Sequence, residues 1–368
     1  MGKRMIGVVA GLAATSLILT ACGDSGDETG DTGDSGAAAG KVGVILPDTA
    51  SSARWENNDR PYLEQAFEAA GVDYDIQNAN GDKQKFATIA DQMLSGGVSV
   101  MMITNLDSPT GAAVISKAAA QGVPTIDYDR LTLGGGADYY VSFDNVAVGT
   151  TIGEGLLTCL KEDGVDSGPI ALLNGSPTDN NATLFKQGYE AAITEAGFDV
   201  AADQSVPDWD NTKAGTIFEQ MYTKASGDFV GVAAANDGLG GAVVSVLERN
   251  GQAGKVPVTG QDATDEGLQR VLLGTQCMSV YKSIKLEADA AAGLAIDLIN
   301  GDTAAADAAA AQSVEDTETG ESVPSVLLTP QAIFAENVQD VVADDFTTAD
   351  NLCTSAALKK ACDEYGVS

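Results

Sequence analysis

The sequence predicts an α/β protein built as two doubly wound, parallel-sheet lobes. Three observations carry that expectation. Short β-branched runs alternate with amphipathic stretches along most of the chain. The alternation is long enough to fill two core-forming units. Strands joined by helices of roughly ten or more residues need right-handed crossovers, which give parallel sheets covered on both faces.

The first set begins at strand Lys41–Leu46, followed by helix Pro61–Ala70 closed by Gly71, and strand Val72–Gln77. Helix Lys83–Leu94 stops at Gly96-Gly97, strand Val98–Ile103 follows, then helix Pro109–Ala120 closed by Gly122 and strand Pro124–Tyr128. The second set reads helix Val146–Leu160, strand Pro169–Leu173, helix Ala182–Ala196 and strand Phe198–Ala202. Helix Thr212–Lys224, strand Phe229–Ala235, helix Leu239–Arg249 and strand Val256–Thr259 complete it. The acidic, Ala-rich stretch from Asp302 to Thr319 is expected to be a surface loop.

With 44% hydrophobic and 20% charged residues, the 368-residue chain has a globular composition. Its formal charge is −33, or −35 once Lys3 and Arg4 leave with a cleaved leader. So acidic a surface excludes a nucleic-acid partner, because displacing phosphate counterions takes Lys and Arg. The chain has no His, which removes the commonest general base and metal ligand. No G-x-S-x-G, P-loop or metal-ligand spacing occurs, and neither metal nor cofactor is expected.

Residues 1–21 read as a signal peptide: Lys3 and Arg4 precede an apolar run, Met5 to Leu19, too short to span a membrane. The run ends in Leu19-Thr20-Ala21-Cys22, which resembles a bacterial lipobox, with Cys22 the lipidated residue. Residues 22–40 contain no large apolar side chain and read as a flexible tether, with a reach on the order of 23 Å. Four Cys then remain, Cys159, Cys277, Cys353 and Cys362, an even count that suggests disulfides in an exported chain. Three pairings are open, as are free thiols; Cys353–Cys362 is favoured by proximity unless a helix holds them apart.

In doubly wound sheets, ligands sit beyond the carboxyl ends of the strands. Those ends carry Ser51-Ser52-Ala53-Arg54-Trp55, Asp127-Tyr128-Asp129-Arg130, Ser176-Pro177-Thr178-Asp179-Asn180-Asn181, Asn236-Asp237 and Gln261-Asp262. The chain's two Trp, Trp55 and Trp209, both fall at loop-to-helix junctions. Aromatic rings stack on the apolar faces of sugar rings, while Asp, Asn and Arg hydrogen-bond hydroxyl edges.

These loops resemble those of the xylose-binding and related aldose-binding proteins of the type I periplasmic-binding family. The matching stretches include Ser52-Ala53-Arg54-Trp55, Asn78-Ala79-Asn80-Gly81-Asp82, Tyr128-Asp129-Arg130-Leu131 and Tyr140-Val141-Ser142-Phe143-Asp144-Asn145. Gly175-Ser176-Pro177-Thr178-Asp179-Asn180-Asn181, Asn236-Asp237, Gly260-Gln261-Asp262, Tyr281-Lys282 and Val323–Pro330 follow in order, so the likeness spans roughly residues 42–346.

The resemblance implies two lobes joined by a three-strand hinge, near Ser142–Asn145, Met278–Lys282 and Val326–Thr329. The N-terminal lobe would be 41–143 plus 281–326, and the C-terminal lobe 144–280 plus 327–368. The family likeness places a monosaccharide, D-xylose first, between Trp55 and Trp209 with Phe185 nearby. Arg54, Asp129, Arg130, Lys282, Asp179, Asn181, Asn236 and Asp262 would bind its hydroxyls. It also implies ABC transporter permease subunits with their cytoplasmic ATPase as partners, a monomeric state and a location outside the cytoplasm, where the lipobox at Cys22 would supply a lipid anchor. The tail after Phe346 has no counterpart in the family pattern.

The remaining alternatives are a broader aldose receptor for transport or signalling, and, from another class, a secreted glycoside-acting enzyme. The enzyme would use Asp129 with Asp179 or Asp262 as a carboxylate pair. Adjacent Arg, Asn and Gln suit these acids to remaining ionised, which is poor for a general acid. A sugar-responsive transcription regulator of this fold would need a basic DNA-binding face, and this chain begins with a signal peptide instead.

Overall fold

A computed structural model describes residues 40–368. The expected signal peptide, Cys22 and the tether up to residue 39 lie outside the described residues. The first lobe opens with β1 (Lys41–Leu46), α1 (Arg60–Ala70), β2 (Asp73–Asn78), α2 (Lys83–Ser95) and β3 (Val100–Ile103). It continues with α3 (Ser108–Ala119), β4 (Thr125–Tyr128) and β5 (Tyr139–Phe143). The second lobe carries α4 (Asn145–Glu162), β6 (Pro169–Asn174), α5 (Asn180–Glu195), β7 (Asp199–Ser205) and α6 (Asn211–Lys224). Next come β8 (Gly231–Ala234), α7 (Asp237–Arg249), α8 (Asp265–Leu272) and β9 (Ser279–Tyr281). The chain then adds α9 (Ile284–Ile299), α10 (Thr303–Ala309), β10 (Gln312–Asp316), β11 (Glu321–Leu328) and β12 (Gln331–Ile333). It ends with α11 (Val338–Ala343), α12 (Ala349–Leu352) and α13 (Ala356–Tyr365).

The first lobe holds a seven-stranded sheet in the order β10-β11-β5-β4-β3-β1-β2, parallel except for β10. The second holds the parallel order β7-β6-β8, extended by single bridges at Val232–Val258 and Gln261–Val280 and by the antiparallel pair β9–β12. The chain passes between the sheets three times. β5 belongs to the large sheet and α4 packs on α5; β9 belongs to the small one and α9 packs on α1; β11 pairs with β5 and β12 with β9. These passages fall at 143–145, 281–284 and 328–331, and together they form the hinge between lobes.

Two elements differ from the sequence reading. The stretch 302–319 is no loop: α10 buries Ala306 against the first core, and β10 adds an antiparallel edge strand to β11. Asp316 is buried there and accepts from the Gly134 backbone at 2.8 Å. An Ala-rich composition gives no periodic contrast, so neither element stands out. Conversely, Val256–Thr259 makes only the one bridge, because Pro257 has no N–H to offer a ladder.

Both disulfides form, Cys159–Cys277 and Cys353–Cys362. The helix that would hold the second pair apart starts only at Ala356, leaving Cys353 in the break after α12, with its Cα 6.2 Å from that of Cys362. The tail it closes seats Leu352, Leu358 and Val367 on Leu268 and Leu272 of α8. Tail and hinge also touch: Phe346 meets Tyr281 edge-on at 5.2 Å, and Ser283 Oγ donates to Asp344 at 2.7 Å.

The second core depends on a close helix crossing. A Cβ at Gly188 of α5 would sit 2.4 Å from the Val146 carbonyl oxygen, and one at Gly149 of α4 would sit 2.1 Å from that of Phe185. Backbone there leaves no room to yield, so Gly188→Ala should cost at least about 1–3 kcal/mol in urea unfolding. Gly215→Ala in α6, where a Cβ meets nothing within 4 Å, should instead gain about 0.5–1 kcal/mol. Equal midpoints for the two variants would contradict this packing.

Candidate functional site

The polar side chains gather where the strands of the two lobes end and face one another. Arg54 and Trp55 begin a π-helical turn, Trp55–Asp59, that runs directly into α1. In such a turn residues five apart stack, which brings Asp59 under Arg54. The Arg54 guanidinium donates to both oxygens of Asp59 at 2.8 and 2.9 Å, to Glu287 of α9 at 2.7 Å and to Asp129 at 3.0 Å. All four residues are buried.

Asp129 follows β4 in left-handed backbone, φ +66°, as does Asp262 after the Gln261 bridge, φ +91°. Trp209, after β7, has φ +55°, a value that costs a bulky side chain energy unless its surroundings enforce it. The indole is wedged over Gly175 at the end of β6, where a Cβ would fall 2.1 Å from the ring. Glycine is required at that position by this contact.

Helix caps pin the second-lobe side chains. Asp179 caps α5 by accepting from Asn181 N at 2.9 Å, and also accepts from Trp209 Nε1 at 3.0 Å. Asn236 caps α7 through Leu239 N at 2.9 Å. Each cap leaves the rest of the side chain aimed across the cleft. Asp179 pairs with Arg130 at 3.1 Å, Asn181 donates to the Asp129 carbonyl at 2.8 Å, and Asn236 approaches the Ser51 carbonyl at 3.4 Å. Lys282 lies 3.4 Å from Asp262 and 4.0 Å from Asp129, with its ammonium 5.8 Å from the Phe185 ring centre. Arg54 stacks 4.3 Å from the centre of the Trp55 indole.

All eleven residues expected from the sequence line one cavity with an empty volume of about 340 Å³. Ser51, Ser52 and Gln261 also line it, and Asp59 and Glu287 support it from beneath. Neither Asp59 nor Glu287 was marked by pattern; Glu287, in an Ala-rich helix, reads as a solvated helix-face acid. A larger open groove of about 1220 Å³ runs along β7 and α6. Its charged residues, Asp203, Lys224 and Asp228, are exposed, and it gathers no convergent polar set.

Burial opposes charge throughout the cluster, and the pairs decide where it survives. At Arg54 the carboxylates of Asp59, Asp129 and Glu287 outweigh burial and hold the guanidinium's pKa well above its usual value. Asp129 is likewise desolvated, yet Arg54, Lys282 and Arg130 keep it below the usual carboxylate range. Glu287 goes the other way: burial pushes it well up, and Asp129 and Asp59 repel it enough that Arg54 cannot compensate. The arrangement suits uncharged, hydroxyl-rich matter, with fixed ionic acceptors and donors and aromatic walls from Trp55, Trp209 and Phe185. An ionised Asp129 is a poor general acid.

The periplasmic binding protein domain matches residues 42–303 of the chain. The chain belongs to the periplasmic binding protein family. The D-xylose-binding periplasmic protein of Escherichia coli K12 is 33% identical to this periplasmic binding protein over 309 residues, covering 83% of this chain and 90% of the relative. The multiple sugar-binding periplasmic receptor ChvE of Rhizobium radiobacter is 30% identical over 84% of this chain and 90% of its own. An ABC transporter solute-binding protein from Clostridium phytofermentans, solved with bound β-D-glucose, superposes with a TM-score of 0.74 at 25% identity, covering 85% and 99%. These relatives are receptors and not enzymes, and this chain is a binding protein.

Two acids beneath the strand ends set a pH dependence. Burial raises Asp127 to about 7, against hydrogen bonds from Thr132 that pull it down and Asp316 that pushes it up. Burial also raises Asp237 to about 6, although Arg270, Gln276 and Ser279 oppose it and Asp262 adds to it. Both keep a proton in the folded chain that the unfolded chain has released, so folding takes up protons between about pH 4 and 7. Stability from these groups is therefore lost as pH rises through that window, by an amount on the order of a few kcal/mol. The thermal midpoint should be higher at pH 5 than at pH 8; a midpoint that is flat or rises with pH would contradict the protonated state of these acids.

Proposed function

We propose that this protein is the lipid-anchored, extracytoplasmic solute-binding component of a sugar ABC transporter, and that it holds D-xylose between its lobes. The observation that carries the reading is the cavity itself: aromatic walls and paired charges from both lobes converge on one cleft. The 33% identity to a D-xylose-binding protein supports the choice of pentose. In this reading Trp55, Trp209 and Phe185 cover the faces of the sugar ring. Arg54, Asp129, Arg130, Asp179, Asn181, Asn236, Asp262 and Lys282 bind its hydroxyls. A broader aldose receptor is the second reading, favoured by the 30% identity to a multiple sugar-binding receptor.

The sugars differ at one edge. Glucose and galactose carry a hydroxymethyl group at C5 that xylose lacks, and one such group shifts selectivity by about 1–3 kcal/mol. Calorimetric titration with xylose, glucose, galactose, arabinose and ribose should give xylose the lowest dissociation constant. A hexose bound about tenfold tighter would replace the pentose assignment, and no binding across the panel would remove the receptor assignment. Ligand at a hundredfold excess over its dissociation constant should add about 2.7 kcal/mol of stability.

The aromatic and charged contacts make separate contributions. Trp209→Ala and Asp262→Ala should each weaken sugar binding by about 2–4 kcal/mol while circular dichroism stays unchanged. Normal affinity in both variants would take these residues out of the binding set. Anchoring rests on Cys22 and is tested separately: the protein should partition into detergent, and Cys22→Ala should release it to the aqueous phase. An unmutated chain found wholly in the aqueous phase would remove the anchor.

A further inference from the structure

Among the described residues, four buried side-chain atoms lack a hydrogen-bond partner: Ser52 Oγ, Thr104 Oγ1, Gln261 Oε1 and Glu287 Oε1. Two of these residues, Ser52 and Gln261, line the cleft cavity, one from each lobe. Gln261 is 2% exposed. Its amide orientation is set from behind, because Nε2 donates to the Ala235 carbonyl at 3.1 Å. The leftover atom is therefore the oxygen. The backbone beneath is held as well: the Gln261 carbonyl accepts from Asp237 N at 2.9 Å, and Asp262 N donates to the Val280 carbonyl at 2.8 Å. The side chain is thus supported at three points with its acceptor left open.

A buried amide oxygen without a partner is costly and rare, so each one calls for a physical account. The charged acceptors of the cavity are already engaged, Asp129 with Arg54, Asp179 with Trp209 and Asp262 with Lys282. Gln261 Oε1 is not. We propose that Gln261 contacts the ligand directly, its Oε1 accepting a hydrogen bond from one hydroxyl of the bound sugar. The proposal rests on the sugar-receptor reading and deepens it. An amide oxygen can only accept, so its partner must be a hydroxyl, and neither a ring oxygen nor an ether serves. That makes Gln261 a specificity residue, since a site built around a substrate hydroxyl rejects analogues that lack its proton.

The test is calorimetric titration of the tightest sugar of the panel and its monodeoxyfluoro derivatives against the unaltered protein and Gln261→Met. Fluorine keeps the size of a hydroxyl and removes its proton. One derivative should lose about tenfold or more on the unaltered protein and about twofold or less on Gln261→Met, which itself binds the parent sugar about tenfold more weakly. Parent affinity unchanged in the variant, or no derivative whose loss depends on residue 261, overturns the proposal. Should Gln261→Met not fold, a crystal structure of the unaltered protein with the parent sugar decides. Oε1 within about 3.2 Å of a ligand hydroxyl is expected; an Oε1 that meets only protein or water overturns the proposal. If no sugar binds the unaltered protein, the receptor reading falls and takes this inference with it.

Discussion

The site is organised around one buried cation. Arg54 is the shared partner of Asp59, Asp129 and Glu287, acids drawn from the first turn, the end of β4 and the returning helix α9. A guanidinium offers five donors in a rigid fork, so three carboxylates can be served at once without competing for the same proton. Losing that cation would leave three acids buried together, a situation that costs about 3–5 kcal/mol for one stranded partner alone. The clamp thus fixes the relation between α1, α9 and the β4 loop, and through Asp129 it fixes the floor of the cleft. The raised affinity of Glu287 for a proton follows first from its burial and then from Asp129 and Asp59, which share its one cation at close range.

Around that floor, the structure holds side chains in place by backbone strain and by caps. Asp129, Trp209 and Asp262 occupy left-handed backbone that none of them favours, and all three line the cavity. Strain of this sort persists only where the surroundings over-determine it. Here the surroundings are Arg54 for Asp129, Gly175 for Trp209 and Lys282 with the Val280 strand for Asp262. The capping residues Asp179 and Asn236 are fixed by helix N–H groups they would serve regardless of function. Side chains so held lose little freedom when a ligand arrives, and low ordering cost is what allows a small cavity to bind tightly.

Much of this was legible in the sequence, for physical reasons that can be named. The parallel strands are buried on both faces and so read as continuous apolar runs, which is why Lys41–Leu46 coincides with β1. The strand-end rule then pointed to the loops carrying Arg54, Asp129, Asp179, Asn236 and Asp262, and the structure brings them into one cavity. What stayed hidden depends on tertiary contact. Asp59 and Glu287 are ordinary acids until Arg54 is buried beside them. β10 has alternating polarity too weak to register within an Ala-rich stretch. Gln261 sits next to an Asp that draws the eye, and only its unpaired oxygen sets it apart. The Cys159–Cys277 bond joins α4 to the approach of β9 across 118 residues, a distance no spacing rule reaches.

The lobes also meet directly, through Arg130–Asp179, Asn181 with the Asp129 carbonyl, and Asn236 with the Ser51 carbonyl. Those contacts bear on affinity in a definite direction. A ligand that requires closed lobes binds with an apparent affinity scaled by the fraction of molecules already closed. Direct contacts between lobes raise that fraction, and so do the tail contacts that brace the hinge at Tyr281 and Ser283. The tail contacts therefore act on binding from outside the cavity, whereas the contacts between lobes are made by residues of the cavity itself. Their strength has an upper bound: lobes held shut would close the cleft to entry, so these buried pairs must together remain weak enough to open. The 3.4 Å approach of Asn236 to the Ser51 carbonyl is long for its type, whereas Arg130–Asp179 at 3.1 Å and Asn181 to the Asp129 carbonyl at 2.8 Å are of ordinary length. Closure by a few direct contacts, over a floor fixed by one strong ionic cluster, would keep the binding groups rigid while leaving the lobes free to part.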